Sequence, residues 1–142
     1  MENHILVPGP IKASLVAEHL NKLQGDSEAG AHSIFLGQVR SDKVNDRMVK
    51  AIEYSAYDEM VEKECSRIKD TIRTAFSDVR DIIIVHSTGM VKAGEMSLFV
   101  MITAGHRDHA TRACRHALEM IKENFPVWKK EIFDDDSHKW HS

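Results

Sequence analysis

An α+β fold is what this sequence predicts, and three observations carry it. Apolar residues recur at helical spacing in three segments, residues 11–23, 58–76 and from about 108 to 122. Extended, largely β-branched or apolar runs stand between them at residues 31–39, 48–55, 81–86 and 96–104. Those runs come in two adjacent pairs with no helix inside either pair, so hairpins join them and not the crossovers a parallel sheet needs. The expected order is β-α-β-β-α-β-β-α in a single domain spanning residues 1–142.

Taken in order, residues 4–7 form a short apolar strand closed by Pro8-Gly9-Pro10. Pro10 suits the first position of a helix, where its missing N–H has no partner in any case. Ile11, Leu15, His19 or Leu20, and Leu23 then repeat at helical spacing until Gly25-Asp26-Ser27. Residues 31–39 are almost continuously apolar around Ile34, Phe35 and Leu36, the pattern of a strand covered on both faces. Gly37 marks a bulge or a close backbone approach. Arg40 follows at once, then a polar loop over residues 41–47. A rigid strand end carrying Gly and then Arg suits a forked donor held for an anion.

In residues 48–55, Val49 and Ala51 alternate with Lys50. Met60, Val61, Cys65, Ile68, Ile72, Ala75 and Phe76 form the stripe of the second helix, which assigns its Met and Phe side chains to the core. The glycine-bearing connection at residues 89–95 reads as a hairpin region. Asp108 suits the N-cap of the last helix, whose stripe is Ala110, Ala113, Cys114, Ala117, Leu118 and Ile121. Pro126 cannot continue that helix, and Phe125 before it is pushed towards extended backbone. Lys122 therefore sits in the last turn, at the edge of the stripe, and Lys129 on a stiffened exit. Residues 133–140 read as an acidic tail with Trp140 as an aromatic anchor.

Composition narrows the function. The chain is 42% hydrophobic and 29% charged with a net charge of −3, so no global basic field points to nucleic acid. No apolar run approaches the roughly 20 residues of a membrane helix. The N-terminal Met-Glu-Asn-His-Ile lacks the basic-then-apolar layout of a signal peptide, and the cytoplasm is the expected location. Cys65 and Cys114 are far apart and sit beside apolar neighbours. They fit two small buried hydrophobes in a reducing compartment, not a disulfide or a thiolate zinc site.

The side chains with chemistry to offer are Arg40, His106, Arg107, Lys122, Lys129 and Lys130. Lysines at a helix C-terminus complement the dipole with no further role. Held together, they call for an anion or a reacting carbonyl. A last helix of about 16 residues spans about 24 Å. One helix therefore cannot bring His106-Arg107 and the lysines to one small ligand. Either there are two sites, or a second copy of the chain completes the pocket. His106-x-x-His109 with His116 offers no third ligand at a recognised spacing, so no metal is expected. No nucleophilic triad and no Gly-rich phosphate loop is present. No cofactor is expected either.

Three stretches also carry a family resemblance. Pro126-Val127-Trp128-Lys129-Lys130-Glu131 with Trp140, Gly30-Ala31-His32-Ser33-Ile34-Phe35-Leu36-Gly37-Gln38-Val39-Arg40, and Gly105-His106-Arg107 resemble, in order, segments of the large, catalytic subunit of molybdopterin synthase. The resemblance runs from about Ile5 to Trp140. It implies an α/β-hammerhead fold with a mixed sheet, three main helices and a small added β subdomain, forming a homodimer within a heterotetramer. It implies sulfur transfer to cyclic pyranopterin monophosphate from the C-terminal Gly-Gly thiocarboxylate of a small ubiquitin-like partner. Lys122 and Lys129 are then the catalytic residues, and Gln38, Val39, Arg40, His106, Arg107, Lys130 and Glu131 bind substrate. A non-catalytic dimeric adaptor for a ubiquitin-like tail is the alternative. Asn45-Asp46 departs from the glycine turn that family members often place there.

Overall fold

The computed structural model describes residues 5–141; His4, expected in the first strand, lies outside them. Eight strands and three helices follow in the order β1 (Leu6–Pro8), α1 (Ala13–Leu23), β2 (Ala31–Gln38), β3 (Lys43–Val44), β4 (Arg47–Ala56), α2 (Asp58–Ala75), β5 (Val79–Lys92), β6 (Met96–Ala104), α3 (Arg107–Asn124), β7 (Val127–Phe133) and β8 (His138–His141). The α+β class is as expected, with strand order β2-β6-β5-β4-β7-β8. Strand β1 joins β5 in parallel; every other pairing, including that of β3 with β4, is antiparallel. None of the described helices is long and apolar enough to cross a membrane.

Strand β5 organises the molecule. Its first half pairs with β6 from Val79 to His86, and its last residues, Gly89 to Lys92, pair with β4. One continuous strand thus leaves a main sheet (β2, β6, β5, β1) and enters a small one (β4, β7, β8). Gly89 sits at the crossing with φ +77°, a conformation that L side chains rarely adopt. The sequence places the end of this strand at His86, with the glycine-bearing residues 89–95 as a hairpin connection; the structure carries the strand on to Lys92.

Alternation along β5 serves two layers. Ile82 and Ile84 join Val100 and Ile102 of β6 beneath α2 and α3, which contribute Val61, Cys65, Ile68, Ile72, Ala113, Cys114, Ala117 and Ile121. Val85, with Ile83 at its margin, faces the other way, where Ile11, Phe99 and Met101 meet Leu15, Val16, Leu20 and Leu23 beside α1. Each fully buried aliphatic side chain in these layers stabilises the fold by about 1.5–3 kcal/mol.

Two further differences bear on the site. The expected acidic tail is a hairpin: β7 and β8 pair from Lys129↔His141 to Ile132↔His138 around a turn that carries Asp136 at φ +67°. The expected loop at residues 41–47 contains the short β3–β4 hairpin, turned by Asn45 (φ +50°) and Asp46 (φ +63°). A two-residue hairpin with both φ values positive favours Asn, Asp and Gly, so the departure from glycine keeps the turn.

Candidate functional site: a cation-lined cleft at the sheet junction

Where the main sheet, the small sheet and the end of α3 meet, a cleft of about 700 Å³ opens. Three segments deliver its side chains. The end of β2 and the residues after it bring Gln38, Val39, Arg40 and Asp42; the last turn of α3 brings Lys122 and Glu123; β7 brings Lys129 and Glu131. Tyr54, His86, Ser97 and Leu98 line it from β4, β5 and β6. The α3 terminus is fixed as Pro126 requires, with Phe125 extended at φ −65°, ψ 125°. Strand alternation then sorts β7: Val127, Lys129 and Glu131 line the cleft.

Lys130 points elsewhere. Its Nζ lies 5.3 Å from the centre of the Trp140 ring and 3.7 Å from Glu53 Oε1, its cross-strand neighbour on β4. That face also carries Trp128, edge-on to Tyr57 at 5.2 Å. Lys130 therefore pins the β7–β8 hairpin and does not line this cleft. Lys122 and Lys129 are exposed, and neither is paired with a carboxylate of another described residue.

The remaining predicted residues differ in how free they are. Arg40 donates to Asp42 through Nε at 2.6 Å and Nη2 at 3.4 Å. That hydrogen bonding, with the charge of Asp42, holds the guanidinium even more firmly protonated than usual. Val39 is buried, and both its backbone groups are used: its N–H donates to the Glu95 carbonyl at 2.9 Å, and its carbonyl accepts from Gly94 N–H at 2.8 Å. Only its side chain is left to shape the wall. Glu131 is bound by the His141 ring across the hairpin.

His106 and Arg107 are not in this cleft. They start α3, eighteen residues long, while Lys122 closes it. The separation expected from helix length is thus what one chain displays. His106 is held by a residue that the sequence reading missed. Asp78 Oδ2 accepts from the His106 backbone N–H at 3.1 Å and lies 3.1 Å from its Nδ1; Oδ1 lies 2.7 Å from His109 Nδ1. Partial burial works against ionising Asp78, but the hydrogen bonds from both histidines outweigh it and hold the carboxyl below its usual range. Nothing in the sequence signals a contact across 28 residues.

Asp78, His106 and His109 are the one group of three potential metal ligands among the described residues, their ligand atoms within 4.8 Å of one another. Both carboxylate oxygens already face histidine Nδ1 atoms. The group also sits at the positive end of the α3 dipole, where a cation is disfavoured. The arrangement is that of a hydrogen-bonded clamp on the helix start. Neither cysteine offers a nucleophile, because Cys65 and Cys114 are buried in the core and burial pushes both thiols up.

Fold and cleft together define an α+β protein with a cation-bearing pocket and no thiolate of its own. The model of the family described as MoaE protein matches residues 10–124. A molybdopterin synthase catalytic subunit of Dictyostelium discoideum is 38% identical over 121 residues, covering 84% of this chain and 76% of that one. One from Nostoc sp. is 36% identical over 130 residues, covering 92% and 78%. The crystal structure of molybdopterin synthase from Staphylococcus aureus superposes with a TM-score of 0.87 at 31% identity, covering 100% of this chain and 98% of that one. The chain belongs to the MoaE family.

Proposed function

We propose that this chain works as the catalytic subunit of a molybdopterin synthase. It moves sulfur from the C-terminal thiocarboxylate of a small ubiquitin-like carrier ending in Gly-Gly to cyclic pyranopterin monophosphate, giving the molybdopterin dithiolene. The observation that carries this reading is the convergence of Lys122 and Lys129 on one cleft with Gln38, Val39, Arg40 and Glu131. They come from three separate segments, and only the fold unites them.

The chemistry follows from the donors. A thiocarboxylate is an anion with its nucleophile on sulfur. Lys122 and Lys129 hold the carboxyl end of the carrier and aim the sulfur at the substrate carbon. A C–S bond forms there as a C–O bond of that carbon breaks, its oxygen leaving as water or with the opened phosphate ring; two such transfers supply the two sulfurs of the dithiolene. Water then adds to the acyl carbon, and the acyl C–S bond breaks, leaving a carboxylate on the carrier and the sulfur on the pterin. Both lysines stabilise the oxyanion of that addition. Arg40 binds the cyclic phosphate, sharing its fork with Asp42. Glu131, held by His141, shares the strand face of Lys129 and adds a negative charge to the cleft wall. The chain needs no cysteine of its own, in keeping with its two buried thiols.

His106 and Arg107 enter the same pocket only from a second copy of the chain. We therefore place this protein as a homodimer carrying one small subunit on each copy. The two buried thiols and a cofactor-building reaction fit the cytoplasm.

The test is sulfur transfer in vitro with thiocarboxylated carrier. Lys122→Ala and Lys129→Ala each lower the single-turnover rate by about 100-fold, the scale of losing one charge-stabilising donor. Their melting temperatures stay within a few degrees of wild type, because both side chains are exposed. Full activity in Lys122→Ala removes that residue from the mechanism. Carrier binding without turnover by the wild-type chain overturns the enzymatic reading.

A further inference from the structure

The floor of the cleft holds an imidazole with no role in the chemistry above. His86 is 7% exposed, on β5 between Leu6 of β1 and Leu98 of β6. Its Nδ1 lies 2.7 Å from the Ser87 carbonyl oxygen. A carbonyl only accepts, so Nδ1 carries the proton and Nε2 the lone pair. The ring stands edge-on to Tyr54 at 5.0 Å and lies 6.4 Å from Phe125. Among the described residues, Ser87 Oγ is the one fully enclosed side-chain polar atom without a partner. His86 Nε2 is not enclosed in that way and bonds to no described residue, so its lone pair opens on the cleft it lines.

The charged and titratable groups facing that cleft come from every element around it. Tyr54 of β4 donates its hydroxyl to Ser97 Oγ of β6 at 3.1 Å. Lys122 and Glu123 come from α3, Lys129 and Glu131 from β7, and Arg40 and Asp42 from beyond β2. Asp42 is engaged by Arg40, and Glu131 by His141. Burial drives the His86 pKa below the usual imidazole value, and the charge of Lys129 pushes the same way against the hydrogen bond to Ser87. At neutral pH, then, a neutral acceptor of fixed tautomer lies at the floor beneath a rim of fixed cations.

We propose that His86 is a substrate-binding residue whose Nε2 accepts a hydrogen bond from an N–H or O–H of the ligand. The ligand class is a flat heterocycle with ring or amino N–H donors at one end and an anionic substituent at the other. The donors reach the floor, the anion reaches Arg40 and the lysines, and the ring packs beside Tyr54 and Phe125. A pterin bearing a cyclic phosphate has this layout, so the inference deepens the proposed function and rests on it for the choice of ligand.

The experiment measures equilibrium binding of cyclic pyranopterin monophosphate by fluorescence between pH 5 and 8, with sulfur transfer assayed in parallel. His86→Phe keeps the ring and its contact with Tyr54 but removes the acceptor. It weakens binding about tenfold at pH 7.5. Wild-type affinity falls on acidification below the ordinary imidazole value of about 6.5, as Nε2 becomes protonated; the cyclic phosphate diester keeps its charge throughout. His86→Phe lacks that acid limb, and the comparison assigns the limb to His86. His86→Gln returns an acceptor that does not titrate: it binds within about threefold of wild type, without the limb. If His86→Phe fails to fold, His86→Gln carries the test alone. Wild-type affinity and an intact acid limb in the variant overturn the proposal. Wild-type binding without sulfur transfer sinks the enzymatic reading and leaves His86 standing. No binding by the wild type at any pH sinks both.

Discussion

His86 and Asp78 are the two residues whose chemistry the primary structure least announces. A histidine in a β-branched run looks like a core residue, and His86 is one by burial. Its neutral state links stability to pH. The unfolded imidazole titrates near 6.5, and the folded one titrates lower because burial disfavours its charge. The unfolded chain therefore binds the proton first as pH falls. The stabilising contribution is complete above about 6.5 and is lost progressively below it. His19, lowered by partial burial and by Lys22, acts in the same direction. The expected outcome is a urea midpoint that is flat from pH 7 to 8 and falls between pH 6.5 and 5, with a shallower fall in His86→Phe. Asp78 was invisible for a different reason. Its partners lie 28 and 31 residues away, and only the placement of the β5 start beside the α3 start brings them together.

Among the elements, those that declared themselves have one environment along their length. Strand β6 spans the residues expected, Met96–Ala104, because nearly every side chain in it is apolar and covered. Helices α2 and α3 fall within a few residues of their stripes. Strand β7 was hidden because Lys129-Lys130-Glu131 looks like a solvated run. The charges belong there because one face of the strand opens on the cleft and the other on the Trp140 patch. Strand propensity is a property of that setting more than of the residues. A tight contact between elements gives a sharper prediction. A Cβ on Gly30, just before β2, would lie 2.1 Å from the Gly105 carbonyl oxygen, just before α3. That atom is backbone and cannot swing aside. Gly30→Ala is expected to destabilise the protein by about 1–3 kcal/mol, the usual cost of overpacking, read as a shift in the denaturant midpoint at an unchanged slope. An unshifted midpoint contradicts the contact.

The whole molecule poses the question that one chain cannot answer by itself. His106-Arg107 and Lys122 occupy opposite ends of one helix, about 23 Å apart at 1.5 Å per residue. If both serve one pocket, each pocket draws on two chains. Mixing inactive Arg107→Ala with inactive Lys122→Ala subunits, after dissociation and reassociation, then regenerates one intact pocket in every mixed dimer. About a quarter of wild-type activity is expected from equal amounts: half the dimers are mixed, and each of those has half its sites intact. This value supposes random pairing of copies in an isologous dimer. No recovery would assign both sets to pockets built from a single chain. The fold class and Gln38, Val39, Arg40, Lys122, Lys129 and Glu131 of the cleft were legible beforehand, since helix spacing, Pro126 and the Gly37–Arg40 stretch act locally. The convergence of β2, α3 and β7 was not, because it is a property of the packing.

The single strand shared by both sheets also sets how the molecule opens. Since β5 runs unbroken from beneath α2 and α3 to its pairing with β4, the small sheet is stitched to the main one by its own backbone. Amide exchange should follow that seam. Protons on Ile82, Ile84 and Val91 should exchange slowly and together, through one global event, while those of the short β8 edge leave early and alone. The wall of the cleft that carries Lys129 can therefore fray at its rim without loosening the His86 floor.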